Sequence, residues 1–285
     1  AITPILEPSE LIKLASSKLK FCKISSHQID SEILLSKALG KSREKMIVEC
    51  NNRVNSKEIL KFKKFIDRRS LKEPVAYILK EKEFWSKIFE VDRNTLIPRP
   101  ETELMVDKLI KIYLKKKIFI LDIGTGTGCI LISLLSELNN SKGLGIDISK
   151  KALLIAEKNA KKHNIINNIS FHKRSFSDIH NYKFDLIVSN PPYIKSKEIK
   201  YLDEDVKKYE PKIALDGGND GLDVIKKVIY KSVEILKING MLALEIGNEQ
   251  QFEVSKILTK KNFRIEHIIR DYKENTRCLI SRLNR

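Results

Sequence analysis

From Lys117 to the end of the chain, short apolar runs alternate with amphipathic stretches, and this alternation limits the possible folds more than any other feature. A short apolar run bounded by turn residues reads as a strand buried on both faces, and the amphipathic stretches between such strands read as the helices that cover them. The runs fall at Ile118–Asp122, Gly143–Asp147, Ile169–His172, Phe184–Ser189, Met241–Ile246, Arg264–Asp271 and Cys278–Arg282. Seven strands are therefore predicted, the last two as a hairpin pair. The expected fold class is α/β, a Rossmann-like, mostly parallel sheet, over residues 101–285.

The first part of the chain has a different period. Leu11, Leu14, Ala15, Lys18 and Leu19, then Ile33, Leu34, Ala38 and Leu39, then Ile59, Phe62, Phe65 and Ile66 follow helical spacing. A small all-helical domain is expected over residues 1–73, with Ser9 as an N-terminal cap and Asn51–Asn55 as a break before a further helix. Over 74–100 a β-hairpin linker is expected. Val75, Tyr77 and Leu79 form one extended segment, Phe84, Trp85, Phe89 and Val91 the other, joined by the charged stretch Lys80–Glu83. In Leu96-Ile97-Pro98-Arg99-Pro100-Glu101-Thr102-Glu103 each proline bars helix at the residue before it, and Thr102 is placed to cap a helix reaching about Leu114.

With 285 residues, 42% of them hydrophobic, the chain can build a core without disulfides or metals. Its longest apolar runs are far below the roughly 18 residues of a membrane span, and no cleavable leader is visible. Cys22, Cys50, Cys129 and Cys278 lack the spacing of a zinc site or a disulfide framework. A cytoplasmic monomer with reduced thiols, no metal and no membrane contact is expected. The net charge of +17 has two readings. Positive potential steers polyanions such as RNA or a ribosome, whereas abundant Lys, Ile and Asn throughout the chain also follow from codon bias in a low-GC genome.

The apolar run Ile118–Leu121 leads through Asp122 and Ile123 into Gly124-Thr125-Gly126-Thr127-Gly128, and Cys129–Leu138 then reads as a helix. Glycines at such a turn let a ligand approach the backbone. A dinucleotide pyrophosphate site or a plain tight connection would explain the loop equally well. Two further features shift the reading. Asp147 ends the next strand, where a carboxylate can take both hydroxyls of an adenosine ribose, although it could also cap the helix beginning near Lys150. The spacing is Gly-x-Gly-x-Gly rather than the dinucleotide Gly-x-Gly-x-x-Gly, and an aspartate two residues before the first glycine is typical of methyltransferases.

Phe184–Ser189 ends in Asn190-Pro191-Pro192-Tyr193. The Asn190 side-chain oxygen can accept one hydrogen of a planar NH2 group. Pro192 has no N–H and holds Pro191 extended, so the Pro191 carbonyl is a rigid acceptor for the other hydrogen. Tyr193 offers a flat face for stacking. Two fixed acceptors suit an amide nitrogen, whose lone pair must be localised before it can attack. A stiff turn ending a strand is the plain alternative. The five histidines fall outside these segments.

The chain resembles the release factor glutamine methyltransferases over nearly its whole length. The resemblance rests on Pro74-Val75-Ala76-Tyr77-Ile78, Leu96–Glu103, the glycine loop, Asn190–Tyr193, Ala214-Leu215-Asp216-Gly217-Gly218 with Asp220-Gly221-Leu222, and Glu245-Ile246-Gly247 followed by Gln250. It implies a seven-stranded class I methyltransferase domain behind a helical domain that helps dock the substrate. It implies S-adenosyl-L-methionine as cofactor, held by Gly124, Thr125, Gly126, Thr127, Gly128, Asp147, Asn190 and a stacking Phe176. The implied substrate is the glutamine of a Gly-Gly-Gln loop in class 1 peptide chain release factors, held by Asn190, Pro191, Pro192 and Tyr193. Ser175 departs from the family pattern, which has an acidic residue there, so the polar contact to adenine is lost or falls to backbone. The rivals are a methyltransferase for exocyclic amines of nucleic acid, since those are also planar NH2 groups, and a non-catalytic release-factor binder.

Overall fold

In the computed structural model, which describes residues 7–49 and 53–284, the chain divides into two compact units. The first runs to Lys80 and takes Asp203–Tyr209 from a later part of the chain; the second holds Glu81–Leu202 and the chain from Glu210 onward.

The first unit comprises α1 (Pro8–Phe21), α2 (His27–Leu39), α3 (Arg43–Val48), α4 (Ser56–Ser70) and α5 (Val75–Leu79), joined by Glu204–Tyr209, which is α9 in chain order. Its core packs Leu11, Ala15 and Leu19 with Leu34, Leu35, Ala38, Phe62 and Ile66, while Leu14 remains exposed. Glu7 rather than Ser9 occupies the cap position of α1, its N–H donating to the Glu10 carboxylate at 3.2 Å. Asn55 caps α4 by accepting the Glu58 N–H at 2.9 Å, whereas Asn51 and Asn52 of the expected break, like Cys50, lie outside the described residues. Asp30 and Arg69 are both sealed from solvent and pair at 2.8 Å. A buried pair of this kind holds only if its other valences are met. The Ser26 hydroxyl donates to Asp30 at 2.7 Å, and Arg69 donates to the Glu73 carbonyl at 3.2 Å. Asp205 of α9 lies 3.7 Å from Arg69, and the Tyr209 hydroxyl donates to the Leu71 carbonyl at 2.8 Å.

Val75–Leu79, expected to be extended, is instead α5. Five apolar residues are too few to separate helix from strand by period alone, and Pro74 sets φ at −58° just ahead of them. The carbonyls of Tyr77 and Ile78 at its end face the Arg68 guanidinium at 3.5 and 3.4 Å. The hairpin therefore lies further along, as β1 (Glu81–Phe84) and β2 (Lys87–Glu90), with Phe84 opposite Lys87. The charged stretch supplies its first strand, and the turn is Trp85-Ser86, both at φ near +50° (51° and 52°) as a two-residue hairpin turn requires. Phe84 and Phe89 anchor it in the core of the second unit.

In the second unit α6 (Pro100–Tyr113) precedes β3 (Phe119–Ile123), α7 (Cys129–Glu137), β4 (Lys142–Asp147), α8 (Lys150–Lys162), β5 (Ile169–Lys173), β6 (Phe184–Ser189), α10 (Asp223–Ile235), β7 (Leu236–Glu245), α11 (Gln251–Lys260), β8 (Phe263–Arg270) and β9 (Thr276–Leu283). Thr102, expected to cap α6, lies inside its first turn and donates its hydroxyl to Glu245, because the helix starts at Pro100. Among the described residues the sheet has seven strands in the order β5-β4-β3-β6-β7-β9-β8. The first five run parallel, β9 is antiparallel to them, and β8, antiparallel to β9, runs in their direction again. Side chains alternate between the faces. Ile120, Leu186, Val188, Met241 and Ile280 pack with α6 and α7, and Leu121, Ile187, Leu242, Leu244 and Leu279 with α10 and α11. The chain leaves β3 towards β4 and β5 on one side and then crosses to β6 on the other, so the loops after β3 and β6 diverge and open a crevice at their carboxyl ends. No helix among the described residues is long and apolar enough to cross a membrane.

Candidate active site

At that crevice lies a cavity of about 860 Å³, near the upper end of the range usual for small-molecule sites. The loop after β3 forms one wall. Gly124 and Gly126 take φ of 72° and 54°, and the space where their side chains would stand is open, with no atom closer than the Gly124 carbonyl at 4.0 Å from Gly126. The loop is pinned from beneath. Gly124 and Thr125 N–H both donate to the Ile146 carbonyl at 2.9 Å, and the Thr125 hydroxyl donates to Asp122 at 2.7 Å. Asp147 accepts the Gly126 N–H at 3.0 Å on one oxygen and the Ser149 N–H at 2.9 Å on the other. Ser149, not Asp147, caps α8, its side chain accepting the Ala152 N–H at 3.2 Å. Burial raises the Asp147 carboxyl above its ordinary pKa against the pull of these N–H groups, and it pushes the fully enclosed Asp122 to about 7. Among the described residues, one Asp122 oxygen has no hydrogen-bond partner.

The loop after β6 forms the facing wall. The Ser189 hydroxyl ties β6 to the Ile123 carbonyl of β3 at 2.9 Å, and Asn190, Pro191 and Pro192 then line the cavity. Behind them Ile194 pairs with Asp216: the Ile194 N–H donates to Leu215 O at 3.1 Å, and the Gly217 N–H returns to Ile194 O at 2.8 Å. A Cβ on Gly217 would stand 2.8 Å from Tyr193 Cα and 2.9 Å from the Pro192 carbonyl, so this second segment is a brace pressed directly on the first. Further wall is given by Leu96–Arg99, Pro211, Ile213 and Ala214. Glu210 is buried there and accepts both the Ile97 N–H at 3.0 Å and the Arg99 guanidinium at 2.5 Å.

The cavity thus brings together Gly124, Thr125, Gly126, Thr127, Asp147, Phe176, Asn190, Pro191 and Pro192. Two expected residues stand outside its lining. Gly128 begins α7, and a Cβ there would meet Ile132 at 2.9 Å and Ala156 at 3.3 Å, so this glycine serves close packing of α7 on α8. The Tyr193 ring packs into the apolar cluster shared with α10 and α11, and burial pushes its hydroxyl up to about 12. Ser175 turns its hydroxyl onto Ser177, 2.8 Å away, capping the turn that carries Phe176. His180, placed outside the site by the sequence reading, does line the cavity, with Lys231 Nζ 3.4 Å from its ring.

Two family descriptions match the chain: "Methyltransferase domain" over residues 114–281 and "PrmC N-terminal domain" over residues 10–79. The release factor glutamine methyltransferase of Buchnera aphidicola subsp. Schizaphis graminum is 40% identical over 266 residues, which cover 93% of this chain and 95% of that protein. The chain belongs to the release factor glutamine methyltransferase family. A "Bifunctional methyltransferase" of Rickettsia typhi is 35% identical over 296 residues, covering 96% of this chain but 57% of that protein, so the chain spans a little over half the length of this relative. Among solved structures, a ribosomal protein L11 methylase from Lactobacillus delbrueckii subsp. bulgaricus shares the fold, with a TM-score of 0.51 at 21% identity over 68% of this chain and 84% of that one.

Within this family member, Glu210, Glu245 and Gln250 hold the site together without lining the cavity, a use that their local sequence does not signal. Glu245 and Gln250 stood in the matched motifs, but their bonding partners are 143 and 57 residues away in sequence, for Thr102 and Tyr193 respectively.

Proposed function

We propose that this chain methylates the side-chain amide nitrogen of the glutamine in the Gly-Gly-Gln loop of class 1 peptide chain release factors, using S-adenosyl-L-methionine. The observation that carries the proposal is that Asn190–Pro192 and the Gly124–Thr127 loop face one cavity in a chain 40% identical to a release factor glutamine methyltransferase.

The residues present fit the cofactor. Open space above Gly124 and Gly126 admits a ligand against backbone, the N–H bonds on Asp147 leave acceptor capacity on both oxygens for a vicinal diol, and Phe176 offers a ring for the adenine. A cationic group bound against the loop would favour the carboxylate form of Asp122, which burial otherwise pushes up to about 7. When bound, the cofactor supplies an electrophilic sulfonium methyl group.

The protein's own contribution is to orient the acceptor nitrogen. The Asn190 oxygen and the Pro191 carbonyl each accept one hydrogen of the substrate NH2, which fixes its plane and leaves the nitrogen lone pair directed across the cavity. Both acceptors bind more strongly as the nitrogen becomes cationic, so they favour the transition state over the ground state. The methylated amide then loses its extra proton to solvent, with no strong general base. The helical unit helps dock the release factor, and the basic surface favours a ribosomal or RNA setting in the cytoplasm.

The test is transfer of labelled methyl from the cofactor to a purified class 1 release factor, with mass spectrometry locating the added methyl group on the glutamine. Label entering RNA or DNA and not the release factor would replace this reading with methylation of an exocyclic base amine.

A further inference from the structure

Gln250 immediately precedes α11 and lies outside the cavity lining, yet its amide joins three separate segments of the site. Its Oε1 accepts the Gly247 N–H at 2.8 Å, and its Nε2 donates to the Tyr193 carbonyl at 3.0 Å and to the Gly221 carbonyl at 3.1 Å. The partners permit one orientation only, since an N–H cannot accept and carbonyls cannot donate. The backbone at Gln250 is itself fixed, its N–H donating to Gly247 O and its carbonyl accepting the Val254 N–H, both at 3.0 Å. Close approach depends on two glycines: a Cβ on Gly221 would stand 2.5 Å from Tyr193 O and 2.8 Å from Gln250 Nε2, and one on Gly247 would stand 3.1 Å from Gln250 Oε1.

We infer that Gln250 is a positioning residue that sets the direction of the substrate-binding Pro191 carbonyl by clamping the main chain at Tyr193, an inference that rests on the methyl-transfer reading above. Only Pro192 separates the clamped residue from the acceptor carbonyl of Pro191. With one residue between them and its φ fixed by the ring, a change in the Tyr193 peptide plane is passed to the Pro191 carbonyl over a short, stiff path. Without the Gln250 amide, the carbonyls of Tyr193 and Gly221 face each other with no donor between them, and the brace has a reason to shift. The fold does not depend on the amide in the same way, because α11 is seated by Val254 and Leu258 in the core.

The experiment compares wild type, Gln250→Ala and Gln250→Glu in kcat and KM for a class 1 release factor, cofactor affinity by calorimetry, and melting temperature. For Gln250→Ala, kcat should fall about 10- to 100-fold, the scale of a misplaced reacting group, while cofactor affinity and melting temperature stay close to wild type. Gln250→Glu presents a carboxylate to two carbonyls at neutral pH, but its protonated form regains one donor. Its rate relative to wild type should therefore rise as pH is lowered, whereas that of Gln250→Ala should not. Unchanged kcat in Gln250→Ala overturns the inference. A loss matched by equal losses of stability and cofactor affinity, with no acid rescue in Gln250→Glu, also overturns it and leaves a structural role. Wild-type protein that transfers no methyl to the release factor overturns the methyl-transfer reading, and the inference with it.

Discussion

The two walls of the cavity are held in opposite ways. The Gly124–Thr127 loop takes its support from Asp122, Ile146, Asp147 and Asn159, at most 32 residues away (Thr127 to Asn159), and from the adjoining strand ends. The Asn190–Tyr193 wall depends on the Leu215–Gly221 brace and on Gln250, the latter 57 residues from Tyr193. One wall is nearly self-contained, and the other is a local motif held by distant parts of the chain. A change on the first side should act on cofactor affinity, and a change on the second on turnover.

Asn190→Ala tests this division most severely. It removes one of the two proposed acceptors, and kcat should fall by about 100- to 1,000-fold or more, as when a preorganised transition-state contact is deleted, with cofactor affinity by calorimetry largely kept. If turnover were retained at saturating cofactor, the division between the walls would be broken. Asp147→Asn should do the converse. Losing a charged acceptor costs roughly 1.5–3 kcal/mol, so cofactor affinity should drop about 10- to 100-fold, while kcat at saturating cofactor should stay near wild type.

The smallest effect concerns what lies behind the second wall. Burial pushes Glu245 up to about 7; the Thr102 hydroxyl, Arg277 and Arg99 pull its pKa down, and Glu101 raises it. Its pKa in the folded protein thus lies above its unfolded value, so the stability it contributes is full at acid pH and is lost as pH rises through about 7. Glu245→Gln keeps an acceptor for Thr102 and never ionises. The melting temperature of this variant relative to wild type should therefore rise by a few degrees between pH 5 and pH 8. Asp122, also near 7, and the lowered His163 and His267 are common to both proteins and drop out of the difference. A flat difference would show that Glu245 does not titrate in this range.

The same contrast explains how much of this fold its sequence reveals. The inner strands of the sheet were legible because each carries a short apolar run buried on both faces, β6 to the residue, while the edge strands β5 and β8, largely exposed, showed only through their partial alternation and their place in the series. Asp147 was legible because its position at a strand end follows from sheet geometry. Val75–Leu79 was not, because its alternation is too brief to fix a period and the orienting Pro74 lies just outside it. For Gly128 and Tyr193 the motifs alone do not show that the glycine also lets α7 pack on α8, or that the half-buried ring lies against the apolar cluster of α10 and α11. Gln250 stayed without a role because a side-chain amide shows its use only when its three partners are seen together.

The helix Glu204–Tyr209 belongs to the first unit while its chain neighbours on both sides belong to the second. A single cut after Lys80 would not yield two finished pieces. The longer fragment would carry Asp205 and Tyr209 with Arg69 and Leu71 gone, and the shorter would lack its last helix. The helical unit cannot be swapped between relatives as one contiguous cassette, and any graft has to bring Asp203–Tyr209 along with it.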